Sequence, residues 1–227
     1  MDSETVHSHW RQRVFQRTNL QIGQLLLVLT VIVLVAPSLP DDSSVAGMAL
    51  VCLMLASLAT ALGPLVNGKP RLKLFLQIIA GMTIVTVFVA DKARWSDESS
   101  CMVLGCVMLY HFGMMAVLLY HLFRHVTQTE KLLTAINFYL LTGITFSYVY
   151  VMANYLIPGA FDLPGHNLTN WSDYLYFSFV TLTSVGYGDI SPQHHVTQSL
   201  AVFEAIIGVL SPTIMIARFV GGDHRHE

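Results

Sequence analysis

The sequence predicts an all-α membrane protein that crosses the bilayer six times, and three observations lead to this fold class. Of the 227 residues, 54% are hydrophobic and only 11% are charged, whereas a soluble domain carries roughly 25% charged residues. The apolar residues form six runs, each close to the roughly 20 residues that a helix needs to cross the hydrocarbon core. A shorter amphipathic run lies between the last two. The net charge of −2 gives no indication of a nucleic-acid partner.

The six apolar runs follow one another along the chain with short polar connections. The first follows three arginines and ends in Val35-Ala36-Pro37, which lacks the small-residue pattern of a signal-peptide cleavage site, so we expect a retained helix. The predicted spans are residues 20–37, 45–66, 72–91, 100–123, 133–157 and 195–219. The amphipathic run, 171–183, is too short to span the membrane. Such a re-entrant segment is tolerated where protein or water surrounds it.

The positive charges of the loops predict the orientation. Ten of the twelve lysines and arginines fall in segments that six spans place on one side of the membrane. The other side holds only Lys92 and Arg94, among acidic residues. By the positive-inside rule, both termini are predicted to lie in the cytoplasm. The connection between the last two spans then opens to the outside.

A polar segment at residues 125–130 divides the predicted helices into two groups. Residues 1–126 are predicted to form a four-helix transmembrane bundle. Residues 127–227 are predicted to form a two-helix unit that includes the amphipathic run. This second unit also contains the most informative motif of the chain.

The motif is the segment Thr183-Ser184-Val185-Gly186-Tyr187-Gly188-Asp189, which directly follows the amphipathic run. Gly186 and Gly188 permit left-handed backbone angles that other residues avoid. A selectivity filter needs such a backbone, because its carbonyl oxygens must face a line of dehydrated cations. Val185 and Tyr187 are expected to point away from that line and to hold the strand in place.

The run from Tyr176 to Asp189 resembles the pore helix and filter of tetrameric potassium channels, and residues 133–219 resemble their whole pore domain. That domain consists of an outer helix, a pore helix, a filter and an inner helix. The resemblance implies a homotetramer in which each chain supplies one quarter of the pore. It also implies potassium sites at Ser184, Val185, Gly186 and Tyr187. Ser184 stands where many members have threonine; it keeps the hydroxyl of the innermost site but is less restricted in its rotamers, so we expect a looser inner site.

The resemblance further implies a hydrogen bond between Asp189 and a donor on the pore helix. Tyr176 is the available donor, because Val180 stands where some members have a glutamate. The pore helix is expected to end near residues 181–183, and its partial negative charge there favours a cation.

Glu204 is the one acidic residue inside the last predicted span. A carboxylate within a span is costly unless it is paired or wet, and is a candidate functional residue. We expect it to bond behind the filter to a pore-helix group such as Ser178 or Thr181. Such a bond has either a structural role alone or a part in gating.

The inner helix resembles that of simple bacterial potassium channels, which have a hinge glycine about nineteen residues after the filter aspartate. Counting from Asp189 reaches Gly208, and Pro212, one turn later, removes a backbone hydrogen bond. Together they predict a bend that widens an inner cavity. By the same alignment the cavity is lined by Val209, Pro212 and Ile216.

The fourth predicted span lacks the charges of a voltage sensor. Steep voltage dependence takes 3–4 gating charges per subunit, whereas residues 102–121 include no lysine or arginine. We therefore expect little or no voltage dependence. His111 and His121 in this span are candidate proton sensors or haem ligands, the alternative being helix histidines with structural hydrogen bonds.

Together these features predict a homotetrameric potassium-selective channel in a plasma membrane, of the bacterial inner-membrane type. It would conduct passively, catalyse no reaction and need no cofactor beyond the permeant potassium ion. Two alternatives stay open. One is a non-selective cation channel, and the other is a haem-binding membrane redox subunit that uses His111 and His121. A potassium transporter is disfavoured, because such proteins carry four filter loops in one chain.

Overall fold

The computed structural model describes most of the chain from residue 97 onward. The described residues are 23–24, 27–28, 30–31, 97–123, 127–162 and 171–220. The second and third predicted spans, most of the first, and residues 221–227 lie outside them.

The described residues between 97 and 220 form four helices and one short pair of strands. In chain order they are α1 (Asp97–Leu122), α2 (Gln128–Leu156), β1 (Phe161–Asp162), α3 (Trp171–Leu182), β2 (Ser191–Pro192) and α4 (His195–Val220). Three of the helices contain segments long and apolar enough to cross a membrane: Leu104–Leu122, Gln128–Leu156 and His195–Ala217. With 12 residues, α3 is too short to span. The protein is therefore a helical membrane protein, and the last three predicted spans and the short helix between them are confirmed as helices.

The start of α2 lies five residues before the predicted position, at residue 128 instead of 133. Thr127 and Glu130 form a reciprocal capping box there: the Thr127 amide donates to Glu130 Oε2 (3.1 Å), and the Glu130 amide donates to Thr127 Oγ1 (3.3 Å). These bonds satisfy amide groups that a helix N-terminus leaves without partners. The first turn of α2 is thus helical although it lacks the apolar residues on which the predicted start was based.

The chain divides into two compact units. The described part of the first comprises residues 116–123 and 127–137 with the few N-terminal residues, and in it the Asn137 side-chain amide donates to the Gly23 carbonyl (3.2 Å). The second comprises residues 97–115, 138–162 and 171–220. The predicted domain boundary after residue 126 stays a prediction.

An aromatic core holds the second unit together. Phe161 contacts the rings of Tyr150, Tyr174 and Phe177 edge-on, with centroids 5.6, 5.8 and 5.2 Å away, a favoured geometry for aromatic pairs. The antiparallel pairing of β1 with β2 ties the chain before α3 to the chain after residue 190. Two-residue strands have no alternating pattern, so the sequence did not indicate them. The core and the pairing hold both ends of the segment that contains the filter motif.

Candidate ion-binding site and its support

Residues 183–189 form an exposed segment in which every second residue has a left-handed backbone. The angle φ is positive at Ser184 (59°), Gly186 (59°) and Gly188 (76°). Alternation of this kind lets successive carbonyl oxygens face the same side. In an ordinary strand successive residues point in opposite directions, so their carbonyl oxygens do not line up on one side. The left-handed angles predicted at the two glycines are confirmed. The segment has the backbone that a row of inward-facing carbonyl oxygens requires.

The positive φ of Ser184 was not predicted, because serine is not a residue that favours this region. The signal that indicates it is the spacing: residue 184 continues the two-residue interval of the glycines. A threonine at positive φ would be a genuine outlier, since it is β-branched, whereas serine is less restricted. Ser184 also supplies a side-chain hydroxyl at this position.

The last turn of α3 anchors the start of this segment through backbone hydrogen bonds. The Ser184 amide donates to the Thr181 carbonyl (2.9 Å), and the carbonyl of Val180 accepts from the amides of Val185 (3.0 Å) and Gly186 (3.3 Å). These bonds use carbonyl groups that a helix C-terminus would otherwise leave without partners. The position of α3 therefore sets the position of the segment.

Asp189 is held at the far end of the segment by Tyr176 of α3. The Tyr176 hydroxyl donates to Asp189 Oδ2 (2.7 Å), which confirms the predicted hydrogen bond, and the Ile190 amide donates to Oδ1 (3.0 Å). The Tyr176 ring also stacks on Tyr187 of the segment, with planes 1° apart. The hydrogen bond from Tyr176 is the main reason that the pKa of Asp189 lies below its ordinary value, and it raises the pKa of Tyr176 to about 12.

Glu204 is fully buried, with 0% of its surface exposed. Its Oε1 lies 2.5 Å from the hydroxyl of Ser178 on α3, so the first of its two predicted partners is confirmed and Thr181 is not the partner. Its Oε2 accepts from the hydroxyl of Tyr150 on α2, also at 2.5 Å. Tyr150 was not predicted, since a tyrosine within an apolar run carries no signal of what it bonds.

Gly208 lies where α4 meets the end of α3. A Cβ on Gly208 would overlap the carbonyl oxygen of Leu182, the last residue of α3. The same oxygen lies 3.4 Å from the hydroxyl of Tyr139, which donates to it. Because α4 continues through Pro212, which has no amide hydrogen, the carbonyl of Gly208 lacks its usual partner four residues on. Gly208 thus has a packing role that the hinge hypothesis did not include, and the predicted bend stays a prediction.

The chain is similar to known proteins. A family model described as an ion channel matches residues 136–221. Protein LctB of Geobacillus stearothermophilus is 31% identical over 101 residues, which cover 42% of this chain and 75% of LctB. Protein LctB of Bacillus caldotenax is 30% identical over 107 residues, 44% of this chain and 79% of LctB. The chain belongs to this ion-channel family. No solved structure matches it.

The residues that form the site all lie within the part of the chain that the ion-channel family model matches. This part begins in α2 and ends after α4, so it contains Tyr150, Tyr176, residues 183–189, Glu204 and Gly208. It does not contain α1. Within α1, His111 donates from Nδ1 to the Val107 carbonyl (2.8 Å), a helix hydrogen bond of the kind that the structural alternative expects, while its roles as proton sensor or haem ligand stay predictions.

Removing the Tyr176 hydroxyl is expected to make current through the channel more sensitive to acid. In the Tyr176→Phe variant the pKa of Asp189 rises toward its ordinary value, because the main cause that lowers it is gone. As the pH falls, Asp189 then takes up a proton at a higher pH than in the wild type, and a carboxylate that attracts cations is lost earlier. The measurement is current against pH on the side that Asp189 faces.

The Asp189→Asn variant is the control for this experiment, because it removes the titrating group. We expect Tyr176→Phe combined with Asp189→Asn to show no acid shift relative to Asp189→Asn alone. A shift of the same size in both backgrounds would contradict the assignment to Asp189.

Proposed function

We propose that the protein is a potassium-selective channel made of four copies of this chain. The observation that carries the proposal is the alternating backbone of residues 183–189, with positive φ at Ser184, Gly186 and Gly188, in a member of an ion-channel family. Carbonyl oxygens from Ser184 to Tyr187 form the potassium sites, and the Ser184 hydroxyl completes the innermost one. Carbonyl rings of this kind replace the hydration shell of potassium.

The exposure of the last helix supports an assembly of several chains. The α4 span is the most apolar of the three, yet only 11% of its 18-residue apolar stretch is buried within the chain, compared with 61% of the stretch in α2. The side chains of Val185 and Tyr187 beside the proposed sites are also exposed. One chain supplies one wall of the conduction path, so four copies around an axis complete it. Val209, Pro212 and Ile216 then line the inner cavity.

The proposed channel has little or no voltage dependence. Residues 101–123, which include the apolar span of α1, contain no lysine or arginine. Moving charge through the membrane potential is what makes opening steeply voltage-dependent. We propose six spans with both termini in the cytoplasm of a plasma membrane, the first four forming a bundle without gating charges.

Uptake of radioactive rubidium into liposomes that contain the purified protein tests the function. Rubidium stands in for potassium. The liposomes are loaded with unlabelled potassium, and its outward gradient drives the accumulation of labelled rubidium inside if the protein conducts both ions. We expect external potassium to compete with uptake strongly and external sodium to compete weakly. Equal competition by both ions would indicate a non-selective cation channel instead, and uptake no higher than in protein-free liposomes would contradict a channel.

A further inference from the structure

Glu204 connects the three helices α2, α3 and α4 through its two carboxyl oxygens. Oε2 accepts from Tyr150 of α2, and Oε1 contacts Ser178 of α3, while Glu204 itself belongs to α4. The Ser178 hydroxyl also lies 2.7 Å from the carbonyl oxygen of Gly143 on α2. Glu204, Tyr150 and Ser178 are all fully buried. The carboxyl group of Glu204 and three further oxygen atoms, from the Tyr150 hydroxyl, the Ser178 hydroxyl and the Gly143 carbonyl, thus form a continuous chain of contacts behind the filter segment.

The number of protons in this chain of contacts is the key observation. A carbonyl oxygen only accepts hydrogen bonds, and a serine hydroxyl has one proton to donate. If Glu204 were ionised, the single Ser178 proton would face two acceptors, Glu204 Oε1 at 2.5 Å and the Gly143 carbonyl at 2.7 Å. One of these close oxygen pairs would then have no proton of its own, which is costly in a buried site.

Among the described side chains of α2, α3 and α4, no lysine or arginine contacts Glu204. Lysine and arginine are absent from α3, from α2 after residue 137 and from α4 before residue 218. Among the described residues, the phenol of Tyr150 hydrogen-bonds to Glu204 and the phenol of Tyr139 interacts with it electrostatically. A buried carboxylate without a charged partner is strongly unfavourable.

We infer that Glu204 is a neutral carboxylic acid that donates to Ser178, and that the resulting chain of hydrogen bonds positions the pore helix and the filter. Each contact then has its own proton: Tyr150 donates to Oε2, Oε1 donates to Ser178, and Ser178 donates to the Gly143 carbonyl. This inference rests on the proposed function only for the filter's role in selectivity. Glu204 acts here as a positioning residue, because it reaches the filter segment through Ser178 and α3.

The hydrogen-bond chain acts on the filter through α3. Ser178 lies two residues before Val180, whose carbonyl accepts from the amides of Val185 and Gly186 in the filter segment. The same face of α2 holds α3 closely, since a Cβ on Gly143 would come within 2.6 Å of the Phe179 ring. Loss of the Glu204 link therefore lets α3, and with it the filter backbone, move relative to α2 and α4.

Two substitutions at Glu204 separate the neutral acid from a carboxylate. In Glu204→Gln the side-chain amide donates to Ser178 and its oxygen accepts from Tyr150, so the pattern of the neutral acid is kept. In Glu204→Leu the volume is similar but both hydrogen bonds are lost. We expect the preference for potassium over sodium to stay within about twofold of wild type in Glu204→Gln and to fall about tenfold or more in Glu204→Leu. Equal loss in both variants would overturn the inference.

Infrared spectroscopy of the purified full-length protein tests the protonation directly, without any need for ion conduction. We expect a carbonyl stretch of a protonated carboxylic acid at neutral pH in the wild type and its absence in Glu204→Gln. The matched control is Asp162→Asn, which removes an exposed carboxylate of β1 and should leave the band unchanged. Absence of the band in the wild type would overturn the inference even if the protein conducts potassium. A band without potassium selectivity in the wild type would overturn the proposed function instead.

Discussion

Replacing Gly208 with alanine is expected to abolish the conducting form of the channel. The added Cβ would overlap the Leu182 carbonyl oxygen and would lie 2.8 Å from its carbon and 3.1 Å from the Leu182 Cα. These are backbone atoms at the end of α3, so they cannot turn aside as the end of a side chain does. Overpacking a closed site typically costs about 1–3 kcal/mol, and here the strain falls on the turn that leads into the filter.

The experiment compares Gly208→Ala with Gly105→Ala, a second glycine-to-alanine change within a helix. Gly105 is exposed on α1, and a Cβ there would meet no atom within 4 Å. Alanine should stabilise that position by about 0.5–1 kcal/mol, because glycine loses more backbone freedom on folding. The measurements are thermal unfolding of the purified protein in detergent and rubidium uptake in liposomes. Wild-type stability and uptake in Gly208→Ala would contradict the close contact.

The second large effect is expected for Gly186→Ala, which should remove the preference for potassium over sodium. Gly186 has a φ of 59° and a Cβ there would meet no atom within 4 Å. Within the chain the cost is therefore one of backbone conformation, about 1–2 kcal/mol per residue. In an assembly of four chains it amounts to roughly 4–8 kcal/mol per filter, counting the same residue four times.

Gly159→Ala is the matched control for this substitution. Gly159 also has a positive φ, 78°, and open space around a Cβ, but it lies in the loop that follows α2 and is not one of the residues 183–189. We expect lower thermal stability with unchanged ion preference in Gly159→Ala. If Gly186→Ala kept the wild-type preference, or if both variants lost it equally, the filter backbone would not be the source of selectivity.

The helices near the filter could be predicted from the sequence because their signals are local. Apolar runs of sufficient length indicated α1, α2 and α4, and the amphipathic run before the filter motif indicated α3. The error at the start of α2 came from its polar first turn, where Thr127 and Glu130 cap the helix. A search for the capping-box pattern, threonine or serine followed three residues later by glutamate, would have found it.

The support of the filter was predictable only in part, because it depends on contacts between helices. Tyr176 and Ser178 were accessible through their places on the pore helix. Tyr150 and the Gly143 carbonyl were not, since a tyrosine and a glycine in a long apolar helix show no sign of their partners. The contact of Gly208 with Leu182 was likewise hidden, because a glycine in a span is compatible with a hinge and with close packing alike. In each case the missing information is the position of a second helix.

In the proposed function, the alternating backbone of residues 183–189 selects potassium. The most direct test is the reversal potential of the purified protein in a planar bilayer, with potassium on one side and the same concentration of sodium on the other. We expect a reversal potential far from zero with the potassium side negative, because the voltage must oppose the flow of potassium to the sodium side. In Gly186→Ala we expect this potential to collapse toward zero. A wild-type reversal potential near zero, with currents well above those of the bare bilayer, would contradict the claim.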